Sequence, residues 1–189
     1  MVSTERFRIP GPLLVQVQRF EDARGFFSET YNARAFAEAG IKSVFVQDNH
    51  SLSREKGTVR GLHFQRPPHA QEKLIRVTRG RIQDVVVDLR RSSTNYGEHL
   101  SVELSDRDGR QLYVPAGFAH GFCTLEPDTE VIYKVTDFWT PDCEDGVLWN
   151  DPGLAIAWPD FAGAQIAAKD AALVTLRALG TPFDADPAG

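Results

Sequence analysis

Between residues 44 and 136 the chain is a succession of short alternating runs, each closed by turn residues, and this cadence limits the possible folds more than any other feature. Runs with strand character cover 44–53, 58–65, 72–78, 82–89, 98–104, 111–114, 117–125 and 130–136. Arg79-Gly80, Asp106-Arg107-Asp108-Gly109 and Glu126-Pro127-Asp128 are among the separators. Short strands spaced by roughly 8–12 residues leave no room for crossover helices and point to a β-sandwich or barrel. Upstream, 13–20 alternates, 21–25 is turn material and 26–30 reads as extended again. A single good helix is expected in this half, over 33–39, with Asn32 as N-cap and Gly40 as terminator. An Ala-rich helical segment is expected over 165–179. The reading is a mainly β, single-domain jelly roll over 1–189 with short N-terminal and C-terminal helices. Its core spans about 10–160, its helical C-terminal segment about 161–180, and a flexible tail is expected over 181–189.

Within that frame one strand stands out, Val59-Arg60-Gly61-Leu62-His63-Phe64-Gln65. Period-two alternation places Val59, Gly61, His63 and Gln65 on one face and Arg60, Leu62 and Phe64 on the other. The glycine is expected to clear space in front of the backbone, so that the imidazole faces a cavity. Lys73 opens the strand after the 66–70 loop and is expected beside His63 through hairpin geometry. There it is either a solvated strand end or a cation for a developing oxyanion. Gln47-Asp48-Asn49-His50-Ser51 interrupts an apolar run and reads as an exposed turn or as a polar pocket lining, since buried polar groups need partners. Tyr133 shares a face with Val131 and Val135; packing and proton donation are both open to it. Phe138 and Trp139 form either a hydrophobic loop or a stacking platform for a flat base. Arg24 and Arg60 are either solvated or forked grips for phosphate.

The stretch Val114-Pro115-Ala116-Gly117-Phe118-Ala119-His120-Gly121-Phe122 carries a second inward histidine. In metal-binding cupins such a strand is partnered by an earlier His-x-His; here that position reads His63-Phe64-Gln65. A metal site built from His50, His63, His69, His120 and a carboxylate is therefore the weaker rival.

Composition removes other classes. A net charge of −5 argues against a broad nucleic-acid surface. Twelve Phe and three Trp set the chain apart from disordered sequences. Two cysteines, Cys123 and Cys143, make no disulfide framework. No apolar run approaches the roughly 20 residues of a membrane helix, and the N-terminus lacks an apolar signal core. A soluble cytoplasmic protein is the expectation.

These stretches together resemble the dTDP-4-dehydrorhamnose 3,5-epimerase family, in order, from about residue 13 to 170. The resemblance rests on Asp22-x-Arg24-Gly25-Phe26-Phe27-x-Glu29, Gln47-Asp48-Asn49-His50-Ser51, Arg60-Gly61-Leu62-His63-x-Gln65 and Lys73. It continues through Pro115-x-Gly117-Phe118-Ala119-His120-Gly121-Phe122, Glu130-x-x-x-Tyr133-Lys134 and Trp149-Asn150-Asp151-Pro152. It implies a cupin-type jelly roll that forms a homodimer, needs no metal or other cofactor, and epimerises a dTDP-4-keto-6-deoxyhexose at carbon 3, carbon 5 or both. It implies His63 as base, held by Asp170, Tyr133 as acid, and Lys73 at the enolate oxygen. Arg24, Phe27, Glu29, Gln47, Asp48, Asn49, Arg60, His120, Glu144 and Lys169 are implied to line the substrate pocket. Phe138 and Trp139 stand where the family commonly has two tyrosines, which keeps stacking on thymine and removes the phenols. The chemistry agrees with the residue types, because a proton beside a ketone leaves only if the anion delocalises onto a stabilised oxygen. No redox cofactor is needed, and no dinucleotide-binding glycine motif is present.

Overall fold

A computed structural model of the chain describes residues 2–183. It contains fourteen strands and three short α-helices among these residues. In chain order they are β1 (Val2–Arg6), β2 (Leu13–Val17), β3 (Phe20–Asp22), β4 (Gly25–Phe27), α1 (Ala33–Glu38), β5 (Gln47–Ser53), β6 (Thr58–Gln65), β7 (Lys73–Arg79), β8 (Arg81–Asp88) and β9 (His99–Ser105). There follow β10 (Arg110–Val114), β11 (Phe118–Thr124), β12 (Thr129–Val135), β13 (Glu144–Gly146), β14 (Gln165–Ile166), α2 (Ala168–Ala171) and α3 (Leu176–Leu179). One sheet runs β1-β2-β10-β7-β12-β5 and the other β13-β6-β11-β8-β9, with β14 added parallel to β6; β3 and β4 form a separate hairpin.

Alternation along the strands builds the layers. Ile75, Val77, Leu112, Val114 and Val131 of the first sheet meet Ile82, Val86, Leu104, Phe118 and Phe122 of the second in a dry inter-sheet core. The outer face of the first sheet buries Val15, Val17 and Leu74 under Phe36 and Ile41. The outer face of the second buries Leu62, Phe64, Val85 and Val87 under Val147, Leu154 and Phe183. Each side chain of this size removed from water contributes about 1.5–3 kcal/mol, so the three layers dominate the stability.

The jelly roll expected from the strand cadence is present, with most strand ends shifted by one or two residues. Asn32 caps α1 as expected, accepting from the N–H groups of Arg34 and Ala35. Other expectations are corrected. β1 is not expected from the sequence, because Val2–Arg6 has little apolar alternation; it is held as an edge strand by pairing with β2. β5 starts at Gln47 rather than residue 44. The 165–179 segment is not one helix. It is β14, then α2 and α3, because Ile166 pairs with Val59 and the chain is held to the sheet instead of coiling. Phe183 lies within the stretch expected to be flexible, yet it is buried against Phe64, with ring centroids 5.6 Å apart. Residues 184–189 lie outside those described.

β6 and β7 are not a hairpin. They belong to opposite sheets, and the loop between them crosses the sandwich. Gly61 also departs from its expected use. The space where its Cβ would stand is filled by β11, 2.6 Å from the Gly121 Cα, and Gly121 has the reciprocal fit, 2.6 Å from the Arg60 carbonyl oxygen. The glycines let two backbones touch, and Gly61 has φ +130, which L side chains rarely adopt. At this contact the β6–β11 register shifts between His120 and Phe122. Strict alternation therefore breaks, and Arg60 joins His63 on the cavity side. Gly121→Ala should lower unfolding free energy by about 1–3 kcal/mol through overpacking, measured by urea denaturation; wild-type stability would contradict this close contact.

Candidate active site

Where the inter-sheet core stops, the inward positions turn polar. Lys73 shares the face of Ile75 and Val77 on β7, and Tyr133 that of Val131 on β12. His120 follows Phe118 on β11, and Asp84 stands between Ile82 and Val86 on β8. Lys73, Tyr133 and His120 line a cavity of about 660 Å³ between the sheets, with Asp84 buried behind His120, a volume typical of small-molecule sites. Gln47, Asn49, Lys73 and Tyr133 line it from one sheet, and Arg60, His63, His120 and Glu144 from the other. Trp139, Lys169 and Asp170 complete the rim.

The His63 Nε2 lies 2.8 Å from Asp170 Oδ1. The other carboxylate oxygen accepts from the Gly61 N–H at 3.3 Å. Asp170 is 3% exposed. Burial pushes its carboxyl up, but the His63 hydrogen bond and charge, the Gly61 N–H and Lys169 outweigh this and hold it below the usual range. With Nε2 engaged, Nδ1 is the ring nitrogen left for a bound molecule. Directly across the sandwich, burial raises the Tyr133 phenol above its ordinary value, against the opposing pull of Arg60. The two side chains thus approach the cavity from facing sheets.

A second imidazole–carboxylate pair lies deeper. His120 Nε2 is 2.9 and 3.0 Å from the two oxygens of the fully buried Asp84. Burial drives the Asp84 carboxyl up, opposed by His120 and Lys73. Lys73 Nζ donates to the His63 carbonyl at 3.1 Å. Burial lowers its ammonium from 10.5 to about 8, with Asp84 and Glu144 pulling it back up. At the rim, Glu144 accepts from Lys169 Nζ at 2.7 Å and from the Trp139 indole N–H at 3.3 Å. Gln65 donates to the carbonyls of His69 and Phe138 and accepts from Thr140 N, which fastens the loop carrying Trp139.

The cavity gathers His63, Tyr133, Lys73, Asp170, Gln47, Asn49, Arg60, His120, Trp139, Glu144 and Lys169 from distant parts of the chain. It does not gather Asp48, Phe138, Arg24, Phe27 or Glu29. Asp48 alternates to the far face of β5 and pairs with Lys134 at 2.8 Å. Phe138 offers its carbonyl to Gln65, while the residue as a whole is 63% exposed. Arg24 pairs with Asp22 on the exposed β3–β4 hairpin. Asp84 was missed by sequence reasoning; its signal was a carboxylate placed in phase with Ile82 and Val86. Among the described residues, no group of three or more His, Cys, Asp or Glu side chains is arranged to hold a metal ion. No helix there is long and apolar enough to cross a membrane.

Two packed sheets with a polar cavity opening between them define a cupin-type jelly roll, and an imidazole and a phenol line that cavity from facing sheets. The sequence model of the dTDP-4-dehydrorhamnose 3,5-epimerase family matches residues 6–178. The dTDP-4-dehydrorhamnose 3,5-epimerase of Salmonella typhimurium is 47% identical over 165 residues, covering 87% of this chain and 90% of that one. The Bacillus anthracis enzyme of the same name, solved with TDP and pyrophosphate bound, superposes with a TM-score of 0.90 at 46% identity, over 93% of this chain and all of that one. The Legionella pneumophila dTDP-6-deoxy-D-glucose-3,5-epimerase, in complex with dTDP-4-keto-L-rhamnose, gives 0.92 at 37% identity over the whole of both chains. The chain belongs to the dTDP-4-dehydrorhamnose 3,5-epimerase family, and it is an isomerase.

The buried ammonium sets a pH signature. Lys73 titrates near 8 when folded and near 10.5 when unfolded, so the unfolded chain holds more protons between these values. Stability should therefore rise with pH across that window. Compared with Lys73→Met, the wild type should gain stability from pH 8 to 10 in denaturant titrations; a flat difference would contradict the desolvated ammonium.

Proposed function

We propose that this protein epimerises a dTDP-4-keto-6-deoxyhexose at carbon 3 and carbon 5, with His63 as base, Tyr133 as acid, and an enolate between the two steps. The observation that carries the reading is the placement of His63 and Tyr133 on facing sheets of one cavity. Inversion needs a proton to leave one face of a carbon and return to the other, and two groups on one wall cannot do this. Asp170 holds the imidazole by Nε2, which fixes its tautomer and leaves Nδ1 for the sugar. The Tyr133 hydroxyl has no hydrogen-bond partner among the described residues and, with its raised pKa, stays protonated and free to donate. Lys73 and His120 supply positive charge and a donor where the 4-keto oxygen becomes anionic, in a site that already excludes much water. Arg60 and Lys169 suit the diphosphate, and Trp139 offers an aromatic face to thymine. A relative that inverts only one of the two carbons would use the same base and acid.

The hairpin residues fit a homodimer. Phe20, Phe26 and Phe27 are 54%, 59% and 71% exposed, a concentration of apolar surface that a second copy would cover. Arg24, Phe27 and Glu29 would then reach the substrate pocket of the partner rather than their own. A cytoplasmic setting agrees with Cys123 and Cys143 both being free thiols.

Incubation with dTDP-4-keto-6-deoxyglucose in deuterium oxide should place label at carbon 3 and carbon 5, read by NMR. His63→Ala should lose about 10²–10⁴-fold in exchange rate at both. Label confined to one carbon would reassign the enzyme as a mono-epimerase, and exchange unaffected by His63→Ala would remove the base.

A further inference from the structure

The stretch Trp149-Asn150-Asp151-Pro152 has no part in the chemistry above, yet it holds one of the few buried carboxylates. Asp151 is 5% exposed and lines no part of the substrate cavity. Both its oxygens are spent on backbone: Oδ1 accepts from Gly153 N at 2.8 Å, and Oδ2 from Leu176 N at 2.7 Å. A buried carboxylate is costly unless hydrogen-bonded. Here the bonds join the loop after β13 to the first residue of α3, 25 positions on.

That second partner belongs to the strap that carries Asp170. The strap, residues 165–183, begins at β14 on the edge of β6 and ends at Phe183 in the outer hydrophobic layer. Asp170 lies between these anchors on α2, which is only four residues long. A single helical turn has no stability of its own, so the direction of the Asp170 carboxylate depends on what grips the chain to either side. Upstream the grip is the two-residue pairing of β14. Downstream it is a short series of ties: Leu173 packs into the space left by the missing side chain of Gly146, Leu148 N donates to Val174 O at 2.8 Å, and Asp151 takes Leu176 N. Of these, Asp151 provides the charge-assisted bond, the stronger kind.

We propose that Asp151 is a positioning residue for the epimerisation: by pinning the start of α3 it fixes the strap downstream of Asp170 and keeps that carboxylate on His63. This rests on the reading of His63 and Asp170 as the base pair. Asp151 touches neither substrate nor His63, and its effect on kcat passes through Asp170; Lys169, next to Asp170 on α2, has its own tie to Glu144 at 2.7 Å, which holds its contribution to binding.

The test compares D151A, D151N, D170N and the double variants in steady-state kinetics with the dTDP-4-keto sugar. D151A should lower kcat by about tenfold with KM within about twofold. On the D170N background the same change should cost less than about twofold, because residues acting through one group are not additive. D151N keeps one acceptor oxygen and should fall between; if D151A does not fold, D151N carries the comparison. Equal losses on both backgrounds would mark Asp151 as merely structural and overturn the proposal, as would an unchanged kcat. D170N turning over at the wild-type rate would remove the base-pair reading itself, and the proposal with it.

Discussion

The 2.8 Å contact between His63 and Asp170 is the point where a strand in the middle of a sheet meets, inside the cavity, a strap that is already anchored to the same strand through β14. Everything that orients the imidazole converges on it. β6 is flanked by β11 and β13, and its outer residues Leu62 and Phe64 are buried in an apolar layer, so the strand is held on both edges and on its outer face. The strap is weaker by construction, with two-residue and four-residue elements held by side-chain ties. Under the proposed mechanism, this imidazole on a firmly packed strand facing a carboxylate on a tethered segment lets packing far from the cavity set the proton chemistry inside it.

The cavity is bought with stability. Lys73, Asp84 and His120 occupy positions in phase with core residues, where apolar side chains would have extended the inter-sheet layer. For Lys73 alone the displacement from 10.5 to about 8 corresponds to about 3 kcal/mol against the charged form. The cluster is held by the bond from the Lys73 ammonium to the His63 carbonyl and by the His120–Asp84 pair, with one Asp84 oxygen left without a hydrogen bond among the described residues. Placing a cation in a poorly solvated site also makes it more effective toward a developing oxyanion than it would be in water.

Much of this was legible in the sequence, for physical reasons that differ by element. Strand cadence exposed the jelly roll because alternation is written locally. His63 and His120 were legible as inward imidazoles on alternating strands, whereas Lys73 and Tyr133 were equally open to solvation or packing and entered the site only through the family resemblance. What the sequence hid was long-range. The loop after Gln65 could have been a hairpin, and only the sheet order places Lys73 opposite rather than beside His63. Gly61 reads as open space, whereas the neighbouring Gly121 fills it. An Ala-rich stretch reads as helix, but two residues of pairing with β6 divert it into the strap. Asp48 obeys the period-two rule against the family resemblance: its neighbours Gln47 and Asn49 face the cavity, so it faces away.

Under the proposed mechanism, the division of proton removal and proton return between facing sheets is what makes inversion possible. Its most direct test is Tyr133→Phe incubated with dTDP-4-keto-6-deoxyglucose in deuterium oxide, with label and configuration read together by NMR. With His63 intact and the phenol gone, deuterium should enter with retained configuration, delivered back by the base from the face it deprotonated, and no epimer should accumulate. Epimerised product forming at the wild-type rate would contradict the division.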